Sequence, residues 1–275
     1  MTDRYAVVGN PVAHSKSPFI HAEFARQTVQ DVSYGRILGP LGGFPGTVHD
    51  FRAQGGKGLN VTLPFKPEAF ALAQERSERA NEAGAANVLK FEGATIFGDN
   101  TDGVGLVRDI SHNLNFDIAG CALLMMGAGG AAQGTLGPLL RARPRVLIVA
   151  NRTLEKAERL VERFAATATA VESELSASSY AALAGRQFDL VVNATSASLS
   201  DTVPDLPDAI FARDALAYDM MYGKTTPFLE LAIGQGVGRA VDGIGMLVEQ
   251  AAESFLLWRG VRPDTRPVIE ALKAG

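Results

Sequence analysis

Gly127-Ala128-Gly129-Gly130-Ala131-Ala132 stands directly after the apolar run Cys121 to Met126 and opens a helical pattern from Ala131 to about Arg141. A buried strand, a tight glycine turn and a helix start are compatible with few folds. Backbone N–H groups at such a turn converge on one point, and the helix dipole favours an anion there, as a dinucleotide pyrophosphate requires. The spacing G-x-G-x-x-G/A is met by Gly127, Gly129 and Ala132, a short pattern that a chance turn also produces. The next strand narrows the choice. Arg145 to Ala150 (RVLIVA) predicts a buried strand ending in Asn151-Arg152-Thr153, where dinucleotide folds meet the adenosine ribose. An acidic residue there selects NAD through the 2′-hydroxyl, whereas an arginine accommodates a 2′-phosphate. Arg152 therefore argues for NADP over the bland alternative of a solvated surface cation.

The glycine run lies near the middle of 275 residues, a length at which one hydrophobic core gives way to two. Before it, strands alternate with helical patterns: Tyr5 to Gly9, helix Ser17 to Gln27, Val32 to Leu38, helix Gly46 to Ala53, then Gly58 to Leu63. That alternation predicts βαβ units and a mostly parallel sheet. Two short strands, near Asn87 to Phe91 and Thr95 to Phe97, precede a helix from about Thr101 to Asn113. After the glycine run come a helix over Leu154 to Phe164, a weak strand near Thr167 to Val171 and a loop with a short helix in Ser173 to Ala184. Strands over Asp189 to Asn193, Ala215 to Asp219 and Arg239 to Asp242 follow, with a helix over Pro227 to Gly234. An apolar helix over Gly243 to Arg259 and a last short helix near Lys273 complete the chain. A cofactor loop in mid-chain implies a discontinuous first domain, with the final helices folding back on the first hundred residues and the active site in the cleft between domains.

Charge and composition exclude several classes. A net charge of −4 gives no reason to expect nucleic-acid binding or a basic membrane patch. No apolar run approaches the ~20 residues of a membrane span, and Met1 to Tyr5 leads into a strand without a signal peptide's apolar region. The single cysteine, Cys121, excludes an internal disulfide and fits a reducing cytoplasm. Four scattered histidines and one cysteine show no metal-ligand spacing, so no metal is expected.

Three polar clusters carry candidate chemistry. In Asn60-Val61-Thr62-Leu63-Pro64-Phe65-Lys66, Pro64 ends the strand, leaving Asn60, Thr62 and Lys66 at the edge where parallel sheets bind ligands. Most lysines there are simply solvated, but a cleft with apolar walls suits one for acid–base work. In Gly98-Asp99-Asn100-Thr101-Asp102-Gly103, capping by Asn100 or Thr101 is the bland reading; Asp102 could instead pair with Lys66 and hold its ammonium in place. In Ser15-Lys16-Ser17-Pro18, one serine is expected near the N-cap of the following helix, and two hydroxyls there also suit a substrate carboxylate. His14 and His21 read as a neighbour of these serines and a packed helix residue.

These clusters, with Gly84-Ala85-Ala86-Asn87, Asn193-Ala194-Thr195-Ser196 and Asp242 to Gln250 (DGIGMLVEQ), resemble, in order, the motif series of the shikimate dehydrogenase family. The resemblance covers Val8 to about Glu270. It implies an α/β protein of two domains: a mostly parallel substrate-binding domain (1–102 plus 243–275) and a Rossmann-type NADP-binding domain (103–242). It implies reversible NADP-dependent reduction of 3-dehydroshikimate to shikimate in a cytoplasmic enzyme, either monomer or homodimer. Lys66 and Asp102 match the family's catalytic pair. Ser15, Ser17 and Thr62 match its carboxylate side, Asn60, Asn87, Asp102 and Gln250 its ring-hydroxyl ligands, and Tyr222 a residue closing over the carboxylate. Gly127, Ala128, Gly129, Gly130 and Ala131 match the phosphate loop, and Asn151, Arg152, Thr153 and Lys156 the 2′-phosphate clamp. Asn193, Thr195, Met220 and Gly243 fall on the nicotinamide side. Gln133 and Ser198 depart from residues common in the family. A quinate/shikimate dehydrogenase using NAD and a non-catalytic NADP sensor are the alternatives; Arg152 argues against the first and retention of Lys66 and Asp102 against the second.

Overall fold

The computed structural model describes residues 2–195 and 206–274. The chain divides into two compact units, one made of the residues up to Gly105 together with those from Leu247 onward, the other Leu106–Met246.

The first unit is built on β1 (Asp3–Gly9), α1 (Ser17–Gln27), β2 (Val32–Leu38), α2 (Phe44–Ala53), β3 (Gly56–Val61), α3 (Lys66–Leu72), β4 (Glu75–Arg76), α4 (Glu78–Ala83), β5 (Val88–Glu92) and β6 (Thr95–Asp99). Its six strands run in the order β2-β1-β3-β5-β6-β4. Pairings β1–β2, β1–β3 and β4–β6 are parallel; β3–β5 and β5–β6 are antiparallel. The sheet is thus mixed, because the short link Gly93-Ala94 turns β5 back as a hairpin and leaves no room for a crossover helix. Ile20, His21 and Phe24 form the buried stripe of α1, at the spacing of one helix face.

The second unit follows α5 (Asp102–Arg108) and contains β7 (Ala122–Met126), α6 (Gly130–Arg141), β8 (Val146–Ala150), α7 (Leu154–Ala170), β9 (Glu174–Ser178), β10 (Phe188–Asn193), β11 (Phe211–Asp219), α8 (Pro227–Gly234) and β12 (Arg239–Val241). Its sheet is parallel throughout, in the order β12-β11-β10-β7-β8-β9. This is the doubly wound dinucleotide-binding order, with its topological switch point between β7 and β10. Leu123, Met125, Leu147, Val149, Leu190 and Val192 pack with α6 and α7 on one face, while Leu124, Ile148 and Val191 pack on the other. Both faces are covered, hence the continuous apolar runs of these strands. Helix α9 (Ile244–Arg259) then returns the chain to the first unit, and α10 (Arg266–Ala274) follows it. Among the described residues no helix is long and apolar enough to cross a membrane.

Several expectations are corrected. Thr167 to Val171 is no strand: α7 runs through Ala170, because Ala168 is needed on its buried face. The strand comes later, at Glu174–Ser178, inside the segment expected to be loop, and a 3-10 turn at Ala181–Leu183 follows it. The helix expected over Thr101 to Asn113 is α5 followed by a π-helical turn, Asp109–Asn113. Both serines flank the N-cap of α1, as expected, although the N-cap residue itself is Lys16, without a side-chain cap bond. Ser196 and Ser198 lie outside the described residues.

Candidate active site

Within the first unit, β3, α3, β5, the start of α5 and α9 bring together most of the polar residues singled out above. Lys66 opens α3 directly after the Pro64 turn, and its Nζ donates to Asp102 Oδ2 at 2.5 Å. The other carboxylate oxygen, Oδ1, accepts from Asn87 Nδ2 at 2.8 Å. Asp102 is itself fixed by the backbone, its N–H donating to Asn100 Oδ1 at 3.2 Å, so the side chain that receives a backbone N–H at the start of α5 and the lysine's partner are different residues, two apart. Asp102 is buried while Lys66 keeps about a quarter of its side chain exposed. A partly exposed lysine held on a buried carboxylate is oriented without being sealed off from a ligand.

Asn87 joins several of these groups. Its Nδ2 also faces Thr101 Oγ1 at 3.0 Å and Gln250 Oε1 at 3.4 Å, and its Oδ1 accepts from Thr101 N at 2.8 Å. Gln250 reaches back to its own helix, Nε2 donating to the Leu247 carbonyl at 2.8 Å. Asn60 belongs to the same network: Nδ2 donates to Ser254 Oγ at 3.0 Å and faces the Asn87 carbonyl at 3.4 Å. Thr62 is half-buried just past β3, its N–H donating to the Val8 carbonyl. At the start of α1, Ser15 Oγ accepts from Ser17 N at 3.3 Å and lies 3.2 Å from Ser17 Oγ. The two hydroxyls therefore converge even though neither caps the helix. His14 is exposed, whereas His21 is buried against Tyr34.

Two members of this network escape the motif reading: Thr101, fully buried, and Ser254. Ser254 lies one helical turn beyond Gln250, and that i, i+4 spacing on one face of α9 was the available signal.

In the second unit, β7 is followed at once by Gly127, whose φ of +100° is a conformation that L side chains rarely adopt. Thr195 and Ala194, just after the neighbouring β10, crowd the place where a side chain would begin. Gly129 and Gly130 differ: both are exposed, and nothing lies within 4 Å of where their Cβ atoms would stand. Gly129 is the N-cap of α6 with no side-chain cap bond, and the first turn holds no acidic residue. First-turn N–H groups have no partner inside a helix. Here they belong to the segment around Gly129 and Gly130, where space is open, at the switch point of the sheet. Past β8, Asn151 Nδ2 donates to the Thr153 carbonyl at 2.8 Å, shaping the turn that presents Arg152. Thr153 is the N-cap of α7, and Arg152 and Lys156 are exposed cations without an ion-pair partner among the described residues. Glycines that leave room for an anion, an unshielded helix start and two unpaired cations past the second strand are the donor set a 2′-phosphorylated dinucleotide needs, so these residues fit NADP.

Asn193, Thr195, Met220 and Gly243 also meet in this unit. Asn193 Oδ1 accepts from Thr195 N and Oγ1 at 3.1 and 2.7 Å, and Asn193 Nδ2 donates to Asp219 Oδ2 at 3.0 Å. Met220 N donates to the Asn193 carbonyl and Gly243 N to the Met221 carbonyl. Asp219, fully buried, also accepts from Thr226 Oγ1 and Met221 N; the motif reading missed this aspartate because it read only as a strand end. Tyr222, half-buried just beyond β11, has its phenol pushed up by burial.

Comparison with known proteins gives the same answer along the whole chain. Three family models match: "Shikimate dehydrogenase substrate binding domain" over residues 7–89, "Shikimate / quinate 5-dehydrogenase" over 109–201 and "Shikimate 5'-dehydrogenase C-terminal domain" over 243–273. A shikimate dehydrogenase (NADP(+)) of Aromatoleum aromaticum is 57% identical over 272 residues, 98% of this chain and 97% of the relative. Among solved structures, an Ael1 enzyme from Pseudomonas putida superposes with a TM-score of 0.93 at 52% identity, covering 98% of each chain. Shikimate 5-dehydrogenase from Thermus thermophilus, in complex with NADP(H) and shikimate, superposes with a TM-score of 0.87 at 31% identity over 99% of each chain. Identity above one half, sustained over nearly the full length of both proteins, places this chain in the shikimate dehydrogenase family.

Proposed function

We infer that this chain catalyses the reversible NADP-dependent reduction of 3-dehydroshikimate to shikimate, a step towards the aromatic amino acids; its relatives carry the name shikimate dehydrogenase (NADP(+)). The observation that carries the reading is the Lys66–Asp102 pair at 2.5 Å, anchored through Asn87. Bound NADPH supplies the hydride. As the substrate carbonyl is reduced its oxygen gains negative charge, and the Lys66 ammonium is the group to stabilise that charge and deliver the proton. Asp102 orients the ammonium and accepts from a neighbouring substrate hydroxyl. Asn60, Asn87 and Gln250 hold the ring hydroxyls; Ser15, Ser17 and Thr62 hold the carboxylate, with Tyr222 a further candidate for it.

For the cofactor, Gly127 to Ala131 receive the pyrophosphate and Asn151, Arg152, Thr153 and Lys156 the 2′-phosphate. Asn193, Thr195, Met220 and Gly243 line the nicotinamide side. Exposed Arg152 and Lys156 support NADP over NAD on charge alone. The residues up to about 102 with those from 243 form the substrate domain in this reading, and 103–242 the cofactor domain. A lone, buried Cys121, its thiol pushed up to about 12 by burial, suits a cytoplasmic setting.

Steady-state assays crossing shikimate and quinate with NADP and NAD test the reading, together with Lys66→Ala. Shikimate with NADP is expected to give the highest kcat/KM. Lys66→Ala is expected to lower kcat by about 10²–10⁴-fold, the usual worth of a positioned acid–base group, with KM little changed. Normal turnover by Lys66→Ala would refute the mechanism, and a preference for NAD would refute the clamp.

A further inference from the structure

Strand β2 supplies none of the residues given a substrate role above, yet two of its side chains reach residues that have one. Tyr34 and Arg36 are two residues apart and so share one face of the strand. The Tyr34 hydroxyl donates to Asn60 Oδ1 at 2.7 Å. The Arg36 guanidinium donates through Nε and Nη2 to the Ser15 carbonyl oxygen at 3.1 and 2.7 Å.

Each contact settles an orientation that local sequence leaves open. An asparagine amide is near-symmetric in shape and opposite in chemistry at its two ends. With a hydroxyl donating to Oδ1, the NH₂ must face the other way, towards Ser254 Oγ and the Asn87 carbonyl. The phenol is well held: the His21 imidazole stacks on it at 4.2 Å and 6°, and Trp258 lies 6.4 Å away. Burial keeps the Tyr34 phenol protonated, and hence a donor, and keeps His21 neutral. At the other end, Ser15-Lys16-Ser17 has no side-chain cap to steady it. Two N–H groups of one planar guanidinium on a single carbonyl supply that restraint, a geometry a lysine does not reproduce.

We propose that β2 is the positioning strand of the substrate pocket, Tyr34 setting the amide of Asn60 and Arg36 setting the Ser15–Ser17 turn. The proposal rests on the substrate roles assigned above to Asn60, Ser15 and Ser17.

The test is shikimate–NADP kinetics, with thermal midpoints, on wild type, Tyr34→Phe, Asn60→Ala, the double variant, Arg36→Lys and Arg36→Met. Tyr34→Phe is expected to raise KM for shikimate about three- to tenfold, the net worth of one hydrogen bond, with KM for NADP unchanged. In the Asn60→Ala background it should add nothing further. Arg36→Lys and Arg36→Met should raise KM for shikimate alike. Additive effects of Tyr34→Phe and Asn60→Ala would overturn the role of Tyr34. A wild-type KM in Arg36→Lys would show that charge acts there and not the two-pronged contact. Should Tyr34→Phe fail to fold, the exposed Arg36 variants decide the matter. A wild-type protein that does not turn over shikimate refutes the functional reading; normal wild-type turnover with unaltered variants refutes only the positioning.

Discussion

A histidine sealed among aromatic rings has to fold neutral, and His21 does: burial pushes it from 6.5 down to about 3. Neither ring nitrogen has a hydrogen-bond partner among the described residues. The unfolded chain therefore binds one more proton than the folded one between these two values. Stability from this group is complete above about pH 6.5 and is lost as pH falls towards 3. The slope is about 1.4 kcal/mol per pH unit for one proton. Urea melts of wild type and His21→Leu between pH 7.5 and 5 should show wild type losing ground to the variant below pH 6.5; parallel curves would mean that His21 is charged in the fold. Arg152 poses the opposite case, an exposed cation without an ion-pair partner among the described residues. Arg152→Asp should raise KM for NADP at least about tenfold while sparing NAD, and an equal loss with both would place the arginine elsewhere. Arg152 could be found from sequence because its position after β8 is an address. Tyr34 and Arg36 could not, since their partners Asn60 and Ser15 lie far away in the chain and only the folded sheet brings them close.

At the level of elements, the π-helical turn Asp109–Asn113 and the start of α9 meet through one carboxylate. Asp109 Oδ2 accepts from the Tyr218 hydroxyl at 2.7 Å and Oδ1 from Asn113 Nδ2 at 2.9 Å. Tyr218 in turn accepts from Met246 N. Gly245 lets the helix come this close, since a Cβ there would overlap the Asp109 carboxylate. Gly245→Ala sets two effects against each other. Helix propensity favours alanine by about 1 kcal/mol; overpacking costs about 1–3 and disturbing hydrogen bonds to a buried carboxylate about 1.5–3 kcal/mol. The net is destabilising, and calorimetry should show a midpoint lower by several degrees; a rise would mean that Asp109 swings aside without loss. The central strands of the second unit, β7, β8 and β10, were readable because they are buried and almost uniformly apolar, whereas β9, partly exposed and carrying Glu174, Ser176 and Ser178, was not. Helix α3 was not, since Pro67 at its first turn follows Pro64, and two prolines read as a break. Ala165 to Ala170 misled in the other direction: threonines there favour a strand locally, but burial of Ala168 carries the helix on.

For the molecule as a whole, the discontinuity of the first unit is the feature with most influence on stability. Helix α9 brings Gln250 and Ser254 to the polar network, sets Phe255 against Phe24, and stacks Trp258 on Tyr5 at 4.6 Å while its indole N–H donates to the Leu89 carbonyl. Below it, Arg262 binds Glu249 and Glu253, and Arg79 joins Glu253 to Asp99. Arg79 and the surrounding donors hold the Asp99 carboxyl below its ordinary value against the opposing cost of burial. A chain stopped after Met246 is expected to lose shikimate binding and the cooperative unfolding of the first unit. The residues of the second unit should still be stabilised by NADP, read as a thermal shift that grows with cofactor concentration. No shift with NADP would show that the second unit depends on the missing helices.

The same discontinuity dictates an order of events during synthesis. The first part of the first unit leaves the ribosome with His21, Phe24 and Tyr5 uncovered by the Phe255 and Trp258 rings of α9, and that helix is encoded after the entire second unit. At ~5–20 residues per second, that interval is on the order of ten seconds. The cofactor-side sheet, continuous in the chain, can complete itself within the interval, while the earlier-made half waits, its aromatic face open to chaperones and to other nascent chains.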